Sequence, residues 1–403
     1  MTVATDSALT VKSEERRGAG VAFGAHALHD GYTDLVYVLL PIWQGEFGLG
    51  FAALGLMKTV FSGTLAGFQI PSGFLAERFG APLVLALGTA LAGFGYCLAG
   101  LSSGVAWLVV SLFVAGLGAS TQHPLASNLI AHAFSGARSR AALGTYNFAG
   151  DIGKMSVPAA ASLLFVVMPW REAVALLGGI GILAAIAIFV VMPRYRDDHA
   201  APAKKEAPAA GGSRIGAYGF PLLLSIGVID SATRMAFLTF LPFVLTAKGA
   251  SLPTIGLALT LVFAGGAAGK LVCAWIGARI GTVATVWLTE TVTALGIVAL
   301  LPLSLEASLV LLPIVGIALN GTSSVLYGSV PDLVTPAKRQ RAFGIFYTGT
   351  IGAGAVSPAI YGLLGDAVGV TSALVVVAAL VLLTLPITLV LRPALASSNA
   401  LAS

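Results

Sequence analysis

Apolar residues run along this chain in blocks of about twenty to thirty, separated by short polar spacers and without sustained alternation. A bilayer core of about 30 Å needs roughly 20 apolar residues of helix, whereas membrane strands are shorter and alternate. The blocks predict helices at about 20–43, 51–75, 82–101, 105–132, 139–168 and 172–192. A second set is predicted at about 217–246, 252–274, 282–303, 307–330, 340–365 and 369–391. Residues 194–216, rich in Pro, Ala, Lys and Asp, read as a soluble, flexible linker between the sets. The expected organisation is a polar tail over 1–19, six-helix bundles over 20–193 and 217–392, and a tail over 393–403.

The halves repeat at an offset of 200 or 201 residues. Asp30 with Thr33 matches Asp230 with Thr233, Pro41 matches Pro242, and Arg78-Phe79-Gly80 matches Arg279-Ile280-Gly281. Arg138 and Arg140 match Arg339 and Arg341, and Pro158 matches Pro358. A common offset in five separate places marks an internal duplication, as in many secondary transporters. The predicted fold is an all-α integral membrane protein of twelve helices in two pseudo-symmetric bundles.

Composition agrees: 57% of the 403 residues are hydrophobic and only 10% are charged, against roughly 25% charged in soluble domains. The net charge of +5 suggests nucleic acid only until its placement is read. With the N-terminus inside, sixteen of the 22 Lys and Arg fall in cytoplasmic segments, and only Arg171 and Lys248 fall outside. That asymmetry places both termini in the cytoplasm of a bacterial-type inner membrane and leaves no nucleic-acid partner. The first apolar block is too long for a signal-peptide core and lacks a small-residue cleavage site, so it reads as a retained helix. Cys97 and Cys273, far apart in apolar runs, read as small core residues. A monomer is expected. No phosphate-binding glycine loop is present, so ATP drive is not expected, and no cofactor or metal site is expected.

Three patches resemble known transporters. Gly73-Phe-Leu-Ala-Glu77-Arg78-Phe-Gly80 resembles the G-x-x-x-D-R-x-G loop of the major facilitator superfamily, without its usual following basic residues; Arg279 and Gly281 keep part of it in the second half. The resemblance implies a gate built from Gly73, Glu77, Arg78, Gly80 and Arg279, with a tight turn at Gly80 and a carboxylate and a guanidinium clamping helix ends. His26-Ala-Leu-His29-Asp30 with Pro41 and Glu46, and Gly116-x-Gly118-x-Ser120-x-x-His123-Pro124, are similar to the fosmidomycin-resistance group. Gly150-Asp151-x-Gly153, with Pro158, resembles the antiporter motif, with Val157 where a glycine is usual. The resemblance implies proton-driven export of a small organic compound or drug.

Ionisable side chains at mid-bilayer cost several kcal/mol, about 3 on insertion scales, and mark cavities, partners or proton paths. Asp30, Asp34, Asp230 and Glu290 are the candidates for proton coupling. His29, Lys58, His123, Asp151, Lys154 and Arg234 are the candidates for substrate binding. His26, Asp30 and Asp34 are four residues apart and share one helix stripe. Structural alternatives stand beside these: Asp230 with Arg234 and Asp151 with Lys154 as intrahelical ion pairs, Lys58 neutralising Asp34, His123 bonding the carbonyl freed by Pro124, and His26 and Lys270 snorkelling at the cytoplasmic edge. Two rival functions remain: a proton symporter importing an organic anion, and an intramembrane metal-dependent enzyme built on His29, Asp30 and His123. The acid is duplicated and the histidines are not, which speaks against the enzyme.

Overall fold

The computed structural model describes residues 2–134, 136–192, 218–335 and 338–402. The linker expected at 194–216 lies outside them. The first half holds α1 (Thr2–Phe47), α2 (Phe51–Gly67), α3 (Gln69–Phe79), α4 (Ala81–Gly100), α5 (Val105–Ala119), α6 (Gln122–Ala133), α7 (Gly136–Val167) and α8 (Trp170–Val191). The second holds α9 (Gly219–Ala247), α10 (Leu252–Leu300), α11 (Leu305–Ser329), α12 (Arg339–Val368), α13 (Val370–Val381) and α14 (Thr384–Ala402). Among the described residues, nine helices are long and apolar enough to cross a membrane, ten when the bent pair α2–α3 counts as one. The 49-residue α10 contains two of the predicted spans, and α1 supplies another, its hydropathy lowered by His26, His29, Asp30 and Asp34. Twelve spanning segments in two bundles result.

Three predicted helices are each broken once, and each break precedes a proline. Helices α3, α6 and α14 begin Gln69-Ile70-Pro71, Gln122-His123-Pro124 and Thr384-Leu385-Pro386, with a bend of 42° between α2 and α3. A proline in the first helical turn forfeits no intrahelical bond. Proline alone does not force a break, since Pro41, Pro158, Pro242, Pro313 and Pro358 lie inside unbroken helices. Two further differences concern ends. Helix α1 starts at Thr2 rather than near residue 20, since no proline interrupts the polar stretch before it. The predicted spans 252–274 and 282–303 run together in α10, interrupted only at Gly281.

Gly281 has φ 80°, and Gly80 at the matching position has φ 89°. This left-handed region is open to glycine at no steric cost, which fixes both residues as turns. The duplication thus extends from sequence to backbone. It extends to packing too: α1 lies along α7, and its counterpart α9 lies along α12.

The described residues fall into two compact units, one taking those of Met1–Gly48, Met57–Asp198 and Leu252–Thr260, the other those of Leu49–Leu56, His199–Ser251 and Leu261–Ser403. The first has a core of Ala22, Ala25, Leu85, Leu125, Ile130 and Ile188; the second is centred on Leu223, Ile226, Val286, Leu326, Phe346 and Leu391. Close helix contact needs small residues. A Cβ on Gly153 of α7 would stand 1.8 Å from the Ala27 carbonyl oxygen of α1.

The helix ends near Glu46 and Lys248 are tied down differently in each unit. In the first, Glu46 pairs with Arg171 at 2.5 Å and accepts the Trp170 indole N–H at 2.5 Å, and Arg171 also donates to the Ser102 carbonyl. In the second, Lys248 donates to the carbonyls of Leu300, Leu301 and Leu303, filling the open C-terminal end of α10.

Candidate functional site

The close approach of α7 to α1 builds the site. Gly150 faces Asp30 so tightly that a Cβ there would come within 2.6 Å of its Oδ2 and 2.7 Å of the His26 ring. This gap lets four side chains converge. Lys154 Nζ lies 3.3 Å from Asp30 Oδ2, His26 Nε2 lies 3.3 Å from the same oxygen, and His123 Nε2 lies 3.6 Å from Oδ1. Asp30 and His26 are buried, whereas the His123 and Lys154 side chains are about one-third exposed.

His26 is the member that sequence reasoning left at the cytoplasmic edge. It is 4% exposed, because α1 begins far upstream and places it well inside the helix. Its Nδ1 lies 2.7 Å from the Tyr146 carbonyl, and its ring stacks on Tyr146 with centroids 3.9 Å apart. A carbonyl can only accept, so Nδ1 carries the hydrogen and Nε2 is turned toward Asp30, where it has no hydrogen-bond partner. The i,i+4 spacing from His26 to Asp30 was the available signal.

His29 takes another direction. Thr89 Oγ1 gives its hydrogen to the Leu85 carbonyl and must accept from His29 Nε2 at 2.9 Å. The imidazole is therefore bonded to α4, 2% exposed. The trio His29, Asp30 and His123 is not brought together; His26 occupies the place given to His29. The ligand atoms of His26, Asp30 and His123 all lie within 4.8 Å of one another, the one such grouping among the described residues.

Lys58 is 1% exposed, with Nζ donating to the Thr33 carbonyl at 2.6 Å and lying 4.1 Å from the Tyr37 ring centre. It presents no face to a substrate, and it does not neutralise Asp34 by contact: no ion pair within 4.0 Å reaches Asp34. Asp34 is 5% exposed, and its Oδ2 has no hydrogen-bond partner. Asp151 is buried one residue beyond Gly150.

The second unit buries fewer ionisable side chains. Asp230 and Glu290 are buried, and Glu290 Oε1 and Arg234 Nε lack hydrogen-bond partners. The intrahelical pair weighed for Asp230 and Arg234 does not form: no ion pair within 4.0 Å joins them. Below Glu290, Thr322 donates to Thr289 at 2.7 Å.

At the gate loop, Gly73 lies in α3 and Gly80 makes the expected turn, but Glu77 and Arg78 are exposed and form no ion pair among the described residues. Arg78 lies over the Phe79 ring at 5.3 Å, and Arg279 lies over Trp275 at 3.8 Å. The clamp inferred from the resemblance is replaced by cation–π contacts on each side chain's own helix end.

Comparison with known proteins fits this architecture. The fosmidomycin resistance protein of Escherichia coli (strain K12) is 24% identical over 370 residues, 90% of each chain. A probable sulfoacetate transporter of Cupriavidus necator is 30% identical over 148 residues, 36% of this chain and 34% of that protein. A bacterial homolog of the human lysosomal transporter Spinster, in an inward-facing and occupied conformation, superposes with a TM-score of 0.79 at 14% identity, over 94% of this chain and 97% of that one. The pattern of the Major Facilitator Superfamily matches residues 22–224 and again 223–402. With both halves matched and twelve spans in two bundles, the chain belongs to the major facilitator superfamily: it is a multi-pass transporter of a small substrate and not an enzyme.

Proposed function

We propose that this protein is a proton-coupled secondary transporter working by alternating access, exporting a small organic molecule across a bacterial-type inner membrane with both termini cytoplasmic. The observation that carries the coupling is the contrast between two acids one turn apart. Asp30 has the Lys154 ammonium 3.3 Å from its Oδ2, so its negative charge has a cationic partner, and two histidine rings stand beside it. Asp34 is as deeply buried, has one oxygen without any hydrogen-bond partner and forms no ion pair within 4.0 Å among the described residues. Burying an unpaired carboxylate as an anion costs far more than burying it as the neutral acid. Asp34 is therefore the group that holds the transported proton, Asp30 is the hub that keeps Lys154 in place, and Glu290 repeats the role of Asp34 in the second half.

Export is favoured by the likeness to the fosmidomycin resistance protein, which extends over 90% of both chains. Import of an organic anion with a proton is the second reading. Lys154, one-third exposed at the site, is its specific support, as an ammonium able to leave Asp30 for a carboxylate or sulfonate.

The test is substrate accumulation in inverted vesicles with and without a pH gradient. Accumulation driven by an acidic interior supports export, and loss of accumulation under that gradient refutes it. Asp34→Asn should lower gradient-driven accumulation about 100-fold, as removal of a required proton carrier does, while substrate binding persists. Unchanged pH-driven transport in that variant removes Asp34 from the mechanism.

A further inference from the structure

We propose that His26, Asp30 and His123 form a binding site for a divalent transition metal ion of the zinc class, in the slot that the Lys154 ammonium shares. Two imidazoles and one carboxylate, with an open fourth position, are a donor set that zinc accepts in exchangeable sites.

Three observations on this one cluster carry the assignment. The first is the spacing. Tetrahedral zinc with bonds of about 2.0 Å needs ligand atoms about 3.3 Å apart. Asp30 Oδ2 stands 3.3 Å from His26 Nε2 and Asp30 Oδ1 3.6 Å from His123 Nε2, and one ligand atom from each of the three residues lies within 4.8 Å of the others. Rotation of the part-exposed His123 ring closes the remainder.

The second is the support behind His26. Ligating histidines usually donate their other ring N–H to a carbonyl or carboxylate, which fixes the tautomer and aims the lone pair. His26 Nδ1 does so to the Tyr146 carbonyl at 2.7 Å, and stacking on Tyr146 holds the ring. The result is a buried Nε2, without a hydrogen-bond partner, facing a carboxylate oxygen. In neutral His26 this nitrogen turns its lone pair to the anion, and a cation between them relieves the repulsion.

The third is the close approach of α7. A Cβ on Gly150 would lie 2.6 Å from Asp30 Oδ2 and 2.9 Å from His26 Nε2, so glycine at this position keeps any side chain of its own from covering these two ligand atoms.

Lys154 is the competitor. Its Nζ is 3.3 Å from the Asp30 oxygen that also faces His26, so ammonium and metal ion exclude each other there. Binding therefore releases Lys154 from Asp30, and the one-third exposure of His123 and Lys154 gives the ion a way in. Protons compete as well: the groups facing the slot are His26, His123, Asp30 and Lys154, with His29, Asp34 and Asp151 nearby, and metal affinity falls as the imidazoles protonate.

The experiment titrates the purified full-length protein in lipid nanodiscs with Zn²⁺ alone, and with Co²⁺ for the visible absorption of tetrahedral nitrogen and oxygen ligation. One ion per chain is expected. His123→Ala should weaken binding about 100-fold, of the order expected for loss of one of three ligands, and His26→Gln comparably. Lys154→Met should tighten it about tenfold, by removing the competing charge. His123 is part-exposed, so its variant tests the site even if His26→Gln folds poorly. Absence of a one-to-one site in the parent protein overturns the proposal. So does unaltered affinity in folded His123→Ala, or failure of Lys154→Met to bind more tightly.

Discussion

The two halves share a backbone and differ in what they bury in it. The acid at the matched position is kept, as Asp30 and Asp230, but its surroundings are not. At the repeat offset, His26 is replaced by Ile226, which joins the second core, and Lys154 by Gly354. In the first half Asp30 gathers an ammonium and two imidazoles within 3.6 Å, whereas in the second, among the described residues, no ion pair within 4.0 Å reaches Asp230 or Glu290. Duplication supplied the helix pairs and the turns at Gly80 and Gly281; later substitution concentrated the charged chemistry in one half. A scaffold contact must be matched on both sides to keep its geometry, while a charge needs only its own local partners.

The comparison breaks most sharply at the helix contacts. Gly153→Ala forces a Cβ to 1.8 Å from the Ala27 carbonyl oxygen and should destabilise the first bundle by about 3 kcal/mol. Gly352→Ala in α12 meets nothing within 4 Å and should change stability by less than about 0.5 kcal/mol. Thermal unfolding of the purified variants, followed by loss of monodisperse protein, separates the two. Equal effects would show that the approach of α1 to α7 is looser than described.

A smaller effect is expected at the ion cluster. Lys154→Met leaves Asp30 with imidazoles only, and the cost should be about 2 kcal/mol. That is below the 3–5 typical of breaking a buried pair, because the lysine is part-exposed. A melting temperature within a degree of the parent would mean that Lys154 does not hold Asp30.

Smallest is the matching change in the other half. A double-mutant cycle on Asp230→Asn and Arg234→Gln should return a coupling below about 0.5 kcal/mol, since the two groups are out of contact. The same cycle on Asp30→Asn and Lys154→Met should return at least about 1 kcal/mol. A large Asp230–Arg234 coupling would erase the distinction between the halves.

Most of the fold was legible because membrane helices announce themselves by length and hydropathy, and because the offset of 200 residues survives at glycines, prolines and arginines whose roles are backbone roles. The breaks before Pro71, Pro124 and Pro386 were not legible, because Pro41, Pro158, Pro242, Pro313 and Pro358 lie inside unbroken helices and no local pattern separates the two kinds. The site was half legible. Asp30, His123 and Lys154 were singled out, but periodicity cannot say which of two histidines on one helix turns toward the acid. His29 was chosen over His26, and its bond to Thr89 of α4 depends on a packing angle that no local pattern records. The clamp of Glu46 with Trp170 and Arg171 joins residues more than 120 apart and was invisible for the same reason.

Lys58 has a consequence for how the chain enters the membrane. A lysine in the middle of α2 makes that segment alone a poor candidate for insertion, at a cost of about 2.5–3.5 kcal/mol. Its ammonium is satisfied by a carbonyl of α1, from Thr33, and by the Tyr37 ring of the same helix. Helix α2 is thus acceptable to lipid only in the company of α1, so the two should leave the translocon as a hairpin rather than one after the other. Lys58→Leu would free α2 to insert by itself, and Thr33 would then lose the contact that sets the order of assembly.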